Sequence, residues 1–141
     1  MKRIAIITGA SSGLGYEYTR QLASYRHIDE LWLFARRRDR LEALASEISG
    51  TQGSPRVQIF PTDLSGAAGV TAFETVLHTN SGFIIDTLVN NAGFGTYGPF
   101  EETPKQRELD MIDLNVYTLT GITHAVLPFL AKDSRIINVA S

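Results

Sequence analysis

The chain contains no cysteine, so disulfide bonds and thiolate metal sites are excluded, although this absence does not identify a compartment. It also lacks any apolar run long enough to cross a membrane. The apolar residues 4–7 follow a basic N-terminus, but this run is too short for a signal peptide. The net charge is only -2, which gives no basic surface for nucleic acid or for an anionic membrane. We therefore expect a soluble, cytoplasmic protein that binds neither.

Histidine is scarce as well, and its positions exclude one more kind of site. His27, His78 and His124 are far apart and show no metal-ligand spacing, so we expect no metal. The 141 residues suit one domain, and no repeat, low-complexity segment or Pro/Ser-rich linker divides them. With 43% hydrophobic and 20% charged residues, the composition is that of an ordinary globular domain.

Short apolar runs alternate with helical patterns along the chain. Residues 4–8 are largely β-branched and apolar, as strands buried on both faces of a parallel sheet are. Similar runs predict further strands at residues 31–35, 57–60, 86–90 and 135–140. This alternation predicts βαβ units with right-handed crossovers. We expect a doubly wound α/β fold, in which helices cover both faces of a parallel sheet.

The helices between these strands carry start and stop signals. Asp39 and Glu42 have the spacing of a capping box, and Gly50 ends that helix. A long helix is predicted from Thr103, where Gln106 completes a second capping box, to about residue 131, with a bend near its end at Pro128. A helix opened by Ser65 is expected to close near Gly82, and the apolar positions of the first helix are Leu14, Tyr18 and Leu22.

A glycine-rich loop, Thr8–Gly15, joins the first strand to the first helix. A dinucleotide pyrophosphate needs close backbone approach, free N–H donors and a positive helix end, and this arrangement supplies all three. The spacing is Gly-x-x-x-Gly-x-Gly, and glycines in a loop can also mark an ordinary turn. The position between strand and helix favours the cofactor interpretation. The predicted contacts are Thr8, Gly9, Ser11, Ser12, Gly13, Leu14 and Gly15.

The end of the second predicted strand indicates which dinucleotide is bound. NAD sites usually carry a carboxylate here for the ribose 2′-hydroxyl, whereas this chain has Arg36 and Arg37, with no acid before Asp39. A guanidinium binds a 2′-phosphate that a carboxylate would repel. We predict NADP(H) over NAD(H), with Arg36 as the main phosphate ligand and Arg37 or Ser11 assisting. The alternative is a solvated basic helix start, although arginines at a helix N-terminus are unfavourable without an anion.

At this point the chain resembles a known family along its whole length, the short-chain dehydrogenases/reductases. The resemblance rests on five features in the family's order. They are the loop Thr8–Gly15, Asp63-Leu64, Asn90-Asn91-Ala92-Gly93, Asn115 in the long helix, and residues 137–141, Ile-Asn-Val-Ala-Ser. The resemblance implies a Rossmann fold with strand order 3-2-1-4-5, and it covers little more than the first half of a typical member.

Residue by residue, the resemblance also implies roles in cofactor binding. Asp63 would accept from the adenine amino group, with the backbone of Leu64 beside it. Asn90, Ala92 and Gly93 would shape the turn after the fourth strand, so that the adenosine ribose packs on backbone. Taken without the family, Asp63 is equally a turn or cap residue, and the Asn-Asn-Ala-Gly segment is simply a turn.

Two residues match members of the family's catalytic set. Asn115 has apolar neighbours such as Ile112 and Val116, so we expect it to be buried and hydrogen-bonded. The resemblance implies that it holds a water in a proton relay, while the alternative is a structural asparagine. Ser141 matches the serine that hydrogen-bonds the substrate carbonyl or hydroxyl.

The family's general acid is a tyrosine in a Tyr-x-x-x-Lys motif, whose lysine lowers the tyrosine pKa. None of the five tyrosines has a lysine four residues later. We expect a truncated, cofactor-binding chain, incomplete at its C-terminus, that binds NADP(H) without turnover. For the complete enzyme we expect hydride transfer between NADP(H) and a small carbonyl or alcohol substrate, in a homodimer or homotetramer. The rival hypothesis is a non-catalytic, dinucleotide-binding regulatory module.

Overall fold

The computed structural model describes residues 1–140 and contains one five-stranded parallel sheet in the order β3-β2-β1-β4-β5. The strands are β1 Lys2–Thr8, β2 Glu30–Ala35, β3 Arg56–Pro61, β4 Phe83–Asn90 and β5 Leu130–Asn138. The helices are α1 Gly13–Leu22, α2 Arg38–Ser49, α3 Gly66–Thr79, α4 Lys105–Ile112 and α5 Leu119–Val126. The predicted strand order and fold class are confirmed.

The central strand β1 divides the core into two layers. Ile4 and Ile6 face one side of the sheet, where α3 and α5 pack, and Ala5 and Ile7 face the other, where α1 and α2 pack. These side chains are fully buried, because successive residues of a strand point to opposite faces and both faces are covered by helices. Helices therefore cover both faces of the sheet, as the alternating sequence pattern predicts.

The first helix meets the sheet through a face that agrees only in part with the expected one. Its buried residues are Gly15, Thr19 and Leu22, whereas Leu14 is 60% exposed. A Cβ atom on Gly15 would lie 2.1 Å from the carbonyl oxygen of Gly9, so the helix approaches the loop too closely for a larger residue. Of the predicted apolar positions, Leu14 is therefore wrong, whereas Leu22 is buried and Tyr18 packs against the core.

Neither predicted capping box forms. The residue before α2 is Arg37, so Asp39 already lies in the first turn, where a carboxylate favours the helix dipole. The residue before α4 is Pro104, and the Thr103 hydroxyl donates instead to the carbonyl of Pro99 at 3.4 Å. Two other predicted helix boundaries agree with the structure, since Ser65 directly precedes α3 and Gly50 directly follows α2.

The long predicted helix is a series of helical segments. A π-helical segment, Asp113–Thr118, joins α4 to α5, and a 3-10 turn, Leu127–Phe129, contains Pro128 and closes the series. β5 then begins at Leu130 rather than at residue 135, because a bulge between the pairs Ile85–Leu130 and Thr87–Arg135 accommodates residues 131–134. Within residues 1–140, no helix has the length and apolar character that a membrane span requires.

Candidate cofactor-binding site

A cleft of about 710 Å³ opens at the carboxyl edge of the sheet, which is a volume typical of small-molecule sites. It lies where β1 is flanked by β2 on one side and β4 on the other, the point at which ligands of such sheets bind. The loops after β1 to β4 and one face of α4 form its walls. The lining residues are Gly9, Ser11, Ser12, Leu14, Phe34, Ala35, Arg36, Thr62, Asp63, Leu64, Ser65, Asn91, Ala92, Gly93, Phe94, Arg107, Asp110 and Leu114.

The glycine loop turns sharply from β1 into α1. Gly9 and Gly13 have φ angles of 65° and 57°, a left-handed conformation that other residues rarely adopt. Ser12 precedes the helix in an extended conformation, and its side chain makes no capping hydrogen bond. The first backbone N–H groups of α1 are thus left available beside Ser11 and Leu14 at the cleft, in the arrangement that binds anions.

Thr8 does not line the cleft but joins its two central loops. Its hydroxyl oxygen accepts from the backbone N–H groups of Asn91 and Ala92, both at 3.0 Å, and donates to the carbonyl of Val89 at 3.3 Å. In return, the Asn91 side-chain amide donates to the carbonyl of Gly9 at 3.0 Å. The loop after β1 is therefore held against the loop after β4.

The two adjacent asparagines at the end of β4, Asn90 and Asn91, have different surroundings. Asn90 is buried, and its amide donates to the Thr123 hydroxyl and to the Asn138 side chain, both at 2.9 Å. Asn91 faces the cleft, and the sequence interpretation missed it by assigning the turn to its neighbour. The alternation of side chains at a strand end was the available signal, since two successive residues point in opposite directions.

The two arginines after β2 also separate. Arg36 lines the cleft, whereas Arg37 lies outside it as the residue before α2. In the described part of the chain, all ion pairs involve other cations, and none joins Arg36 to a carboxylate. A guanidinium thus faces the cleft without a salt bridge, and Asp63 interacts with its charge only over a longer distance.

Asp63 and Leu64 follow β3 and form another wall of the cleft. Asp63 Oδ1 accepts from the backbone N–H of Ser65 at 3.0 Å. The pKa of Asp63 is lowered chiefly by this backbone hydrogen bond, then by one from the Ser65 side chain, and further by the charge of Arg36. The carboxylate is therefore ionised at neutral pH, and it also forms the turn considered as an alternative above. Leu64 is 2% exposed and forms the buried, apolar part of this wall.

Asn115 lies in the π-helical segment and holds the loop after β4. Its side-chain oxygen accepts from the Phe94 N–H at 3.0 Å, and its amide donates to the Phe94 carbonyl at 2.7 Å. Asn115 is half-buried, while Ile112 and Val116 are exposed, so burial among these neighbours is a wrong expectation. A Cβ atom on Gly93 would lie 2.7 Å from Asn115 Oδ1, so a larger residue there would push the Asn115 side chain away from Phe94.

Thr118, at the end of the same segment, is a second contact that sequence reasoning missed. Its hydroxyl donates to the carbonyl of Leu64 and accepts from the N–H of Gly66 at 3.2 Å, and the residue is 2% exposed. The π-helical segment therefore anchors the loop after β4 through Asn115 and the loop after β3 through Thr118. The only sequence signal was a polar residue three positions after Asn115.

Ser141 lies outside the described residues, so the structure gives no position for this predicted catalytic residue. Within residues 1–140, no group of three or more histidine, aspartate or glutamate side chains is arranged to hold a metal ion.

The doubly wound sheet and the glycine loop at its carboxyl edge define a Rossmann-type, nucleotide-binding protein. The family model described as short chain dehydrogenase matches residues 3–141. The chain therefore belongs to the short-chain dehydrogenase family, a family of oxidoreductases.

Individual relatives agree with this assignment. The "11-beta-hydroxysteroid dehydrogenase-like 3" protein of Arabidopsis thaliana is 38% identical over 148 residues, covering 99% of this chain and 45% of the relative. A short-chain dehydrogenase from Sphingobium yanoikuyae, solved in complex with NADPH, has 33% identity and a TM-score of 0.84, covering 100% of this chain and 54% of that one. An alcohol dehydrogenase from the archaeon Thermococcus sibiricus, complexed with 5-hydroxy-NADP, has 31% identity and a TM-score of 0.83, covering 98% and 57%. The chain thus spans about half the length of the relatives it matches.

Proposed function

We propose that this chain is the cofactor-binding part of an NADP(H)-dependent oxidoreductase that interconverts a carbonyl and an alcohol. The preference for NADP(H) rests on the position of Arg36. Arg36 faces the cleft where NAD sites place a carboxylate, and it forms no salt bridge within residues 1–140. The relatives solved with NADPH and 5-hydroxy-NADP support this choice, although their cofactors are properties of those proteins.

The residues present fit such a cofactor. The uncapped start of α1 leaves N–H groups for a pyrophosphate, and the absence of a side chain at Gly13 keeps the space beside them open. The close approach of Gly15 to Gly9 holds this helix end against the loop. Backbone groups of Ser12, Gly13 and Leu14 would hold the pyrophosphate there. Arg36 would bind the 2′-phosphate, with Ser11 beside it on the wall of the cleft.

The adenosine, whose ribose carries the 2′-phosphate, fits the part of the cleft between Arg36 and Asp63. Asp63 is ionised and has a second carboxylate oxygen beyond the one bonded to Ser65, so it can accept from the adenine amino group. Leu64 supplies an apolar wall for the base, and the small Ala92 and Gly93 leave room for the ribose against backbone. Thr8 and Asn90 act indirectly, by fixing the loops that carry these contacts.

For the chemical step, a bound nicotinamide supplies or takes up the hydride. Ser141 is proposed to hydrogen-bond the substrate oxygen, and Asn115 to support the proton path while it fixes the Phe94 loop. The 141 residues hold no Tyr-x-x-x-Lys pair that could deliver the proton. We therefore infer that these residues form a single but incomplete domain that binds NADP(H) without turning over substrate.

A second function, a non-catalytic dinucleotide-binding regulator, is favoured by one observation, the missing Tyr-x-x-x-Lys pair. Nucleotide sequence beyond codon 141 distinguishes the two: an in-frame Tyr-x-x-x-Lys supports the dehydrogenase, and a stop codon supports the regulator. The cytoplasmic location and the homodimer or homotetramer of a longer form stay predictions from the sequence.

The proposed function is tested by titrating the purified 141-residue chain with NADPH and NADH, and by following NADPH oxidation with a panel of ketones and aldehydes. We expect NADPH to bind at least about tenfold more tightly, since a charge-assisted, bidentate contact to the 2′-phosphate is absent from NADH. We expect no oxidation of NADPH. Equal affinities would contradict the NADP(H) assignment, and measurable ketone reduction would contradict the inferred lack of turnover.

A further inference from the structure

Arg107 lies in the first turn of α4 and lines the cleft at a position for which the proposed function has no role. Asp110 and Leu114 follow it at helical spacing and line the same cleft, so the three residues form one column along the helix. Two turns, or about 10 Å, separate Arg107 from Leu114 along the helix axis.

The lower end of this column reaches the adenine part of the proposed site. Leu114 packs in the core cluster that contains Leu64, the apolar residue after β3. At the other, N-terminal end of the column, Arg107 contacts Phe94: its guanidinium carbon lies 4.9 Å from the centre of the Phe94 ring. Asn115 fixes the backbone of Phe94. The Arg107–Phe94 contact therefore joins α4 to the loop after β4, above Leu114.

Helix stability does not explain an arginine here. A cation in the first turn of a helix is disfavoured by the helix dipole. Asp110 lies one turn further on the same face, yet no ion pair joins the two residues in the described part of the chain, and Asp110 accepts instead from Gln106 at 2.8 Å. The contact with the Phe94 ring holds the guanidinium in place without neutralising its charge.

We propose that Arg107 contacts the adenine base of the bound nucleotide, its guanidinium stacking on the base while Phe94 holds it in place. This inference rests on the proposed function, and it names the residue that would form the outer wall of the adenine subsite. A planar guanidinium stacks favourably on an aromatic face, and a purine presents such a face whichever dinucleotide is bound. The two arginines would therefore have different roles. Arg36 would distinguish NADP(H) from NAD(H), and Arg107 would increase the affinity for both.

The test compares Arg107→Ala with the unmodified chain in calorimetric titrations of NADPH, NADH and 2′,5′-ADP. All three ligands contain adenine, only NADPH and 2′,5′-ADP carry the 2′-phosphate, and only the dinucleotides carry nicotinamide. We expect the dissociation constants of all three to rise by the same factor, about fivefold, as for the loss of one stacked cation. Lys105→Ala is the matched control, because it removes a cation from the same helical turn outside the cleft and should change none of them.

Two patterns would overturn the inference. A loss confined to NADPH and 2′,5′-ADP would make Arg107 a phosphate ligand, and a loss confined to the dinucleotides would place it at the nicotinamide half. Unchanged affinities would overturn it as well. Arg107→Lys separates charge from stacking, since it should bind as weakly as the alanine variant, and full rescue would contradict stacking. If the unmodified chain bound no nucleotide while folded, the proposed function itself would fail, which is a different result from a variant that binds like the unmodified chain.

Discussion

The two edges of the sheet, at the amino and carboxyl ends of the strands, differ in whether their charged side chains form ion pairs. At the amino edge, the buried Asp86 accepts from Arg3 at 2.8 and 3.1 Å and from the Thr87 hydroxyl at 2.8 Å. The buried Glu30 accepts there from Lys2, Trp32 and Gln58 at 3.0, 3.0 and 2.8 Å. At the carboxyl edge, Arg36 forms no salt bridge within residues 1–140, and the start of α1 has no side-chain cap.

This difference separates stability from binding. A buried charge that is paired within the chain contributes to the folded state, and removing its partner is destabilising. An exposed charge and uncapped N–H groups at a cleft contribute little to folding and remain available for an anionic ligand. The hydrogen bonds that fix the loops at the carboxyl edge, such as those of Thr118, have a different role from either group of charges. They keep the cleft in its observed conformation.

The largest loss of stability is expected when one of these loop hydrogen bonds is removed. Thr118→Val keeps the shape of the side chain but leaves the Leu64 carbonyl and the Gly66 N–H without their partner. We expect the free energy of unfolding to fall by about 2–3 kcal/mol, as for buried backbone groups that lose a hydrogen bond. Chemical denaturation measures this loss, and NADPH affinity should weaken with it because the loop after β3 is released.

Thr118→Ser provides the control, since it retains the hydroxyl. It should recover most of the NADPH affinity and much of the stability. A serine variant as weak in NADPH binding as the valine variant would show that the hydroxyl does not position the loop.

The next largest effect lies at the amino edge. Asp86→Asn removes the charge that faces Arg3 with almost no change in shape, and Asp86 is 5% exposed. We expect a loss of about 2 kcal/mol in the free energy of unfolding, measured by denaturation, because a charge-assisted hydrogen-bond network is weakened. NADPH affinity should not change, since Asp86 lies near the start of β4 and the cleft lies beyond its end.

Asp133 is the matched control at this edge. It also pairs with Arg3, but its side chain is 70% exposed. Asp133→Asn should therefore leave stability close to that of the unmodified chain. A drop in NADPH affinity in the Asp86 variant would remove the proposed separation between the two edges.

Much of the fold could be predicted because its signals are local. The apolar runs of β1 and β2 and the stop at Gly50 are properties of adjacent residues, and they place the strands and helices in order. The start of β5 could not be predicted, because the bulge depends on Ser134, whose hydroxyl donates to the carbonyl of Ile85 on the neighbouring strand at 2.6 Å. The capping boxes failed for a related reason, since the path of the chain into α2 and α4 decides which residue precedes the helix.

The site shows the same limit. The glycine loop and Arg36 were recognised from sequence because a strand, a loop and a helix follow each other directly. Asn91, Thr118 and Arg107 were not recognised, because each acts on a loop from a different part of the chain. Their roles depend on which helix faces which strand end, and spacing alone does not contain that information.

Binding of the 2′-phosphate by the guanidinium of Arg36 is best tested by calorimetric titration of Arg36→Ala beside Arg37→Ala. We expect about a tenfold loss of NADPH affinity in the Arg36 variant, unchanged NADH affinity and unchanged stability. Arg37→Ala, which removes a neighbouring cation outside the cleft, should bind NADPH nearly as well as the unmodified chain. An Arg36 variant that binds NADPH as tightly as the unmodified chain would contradict the account.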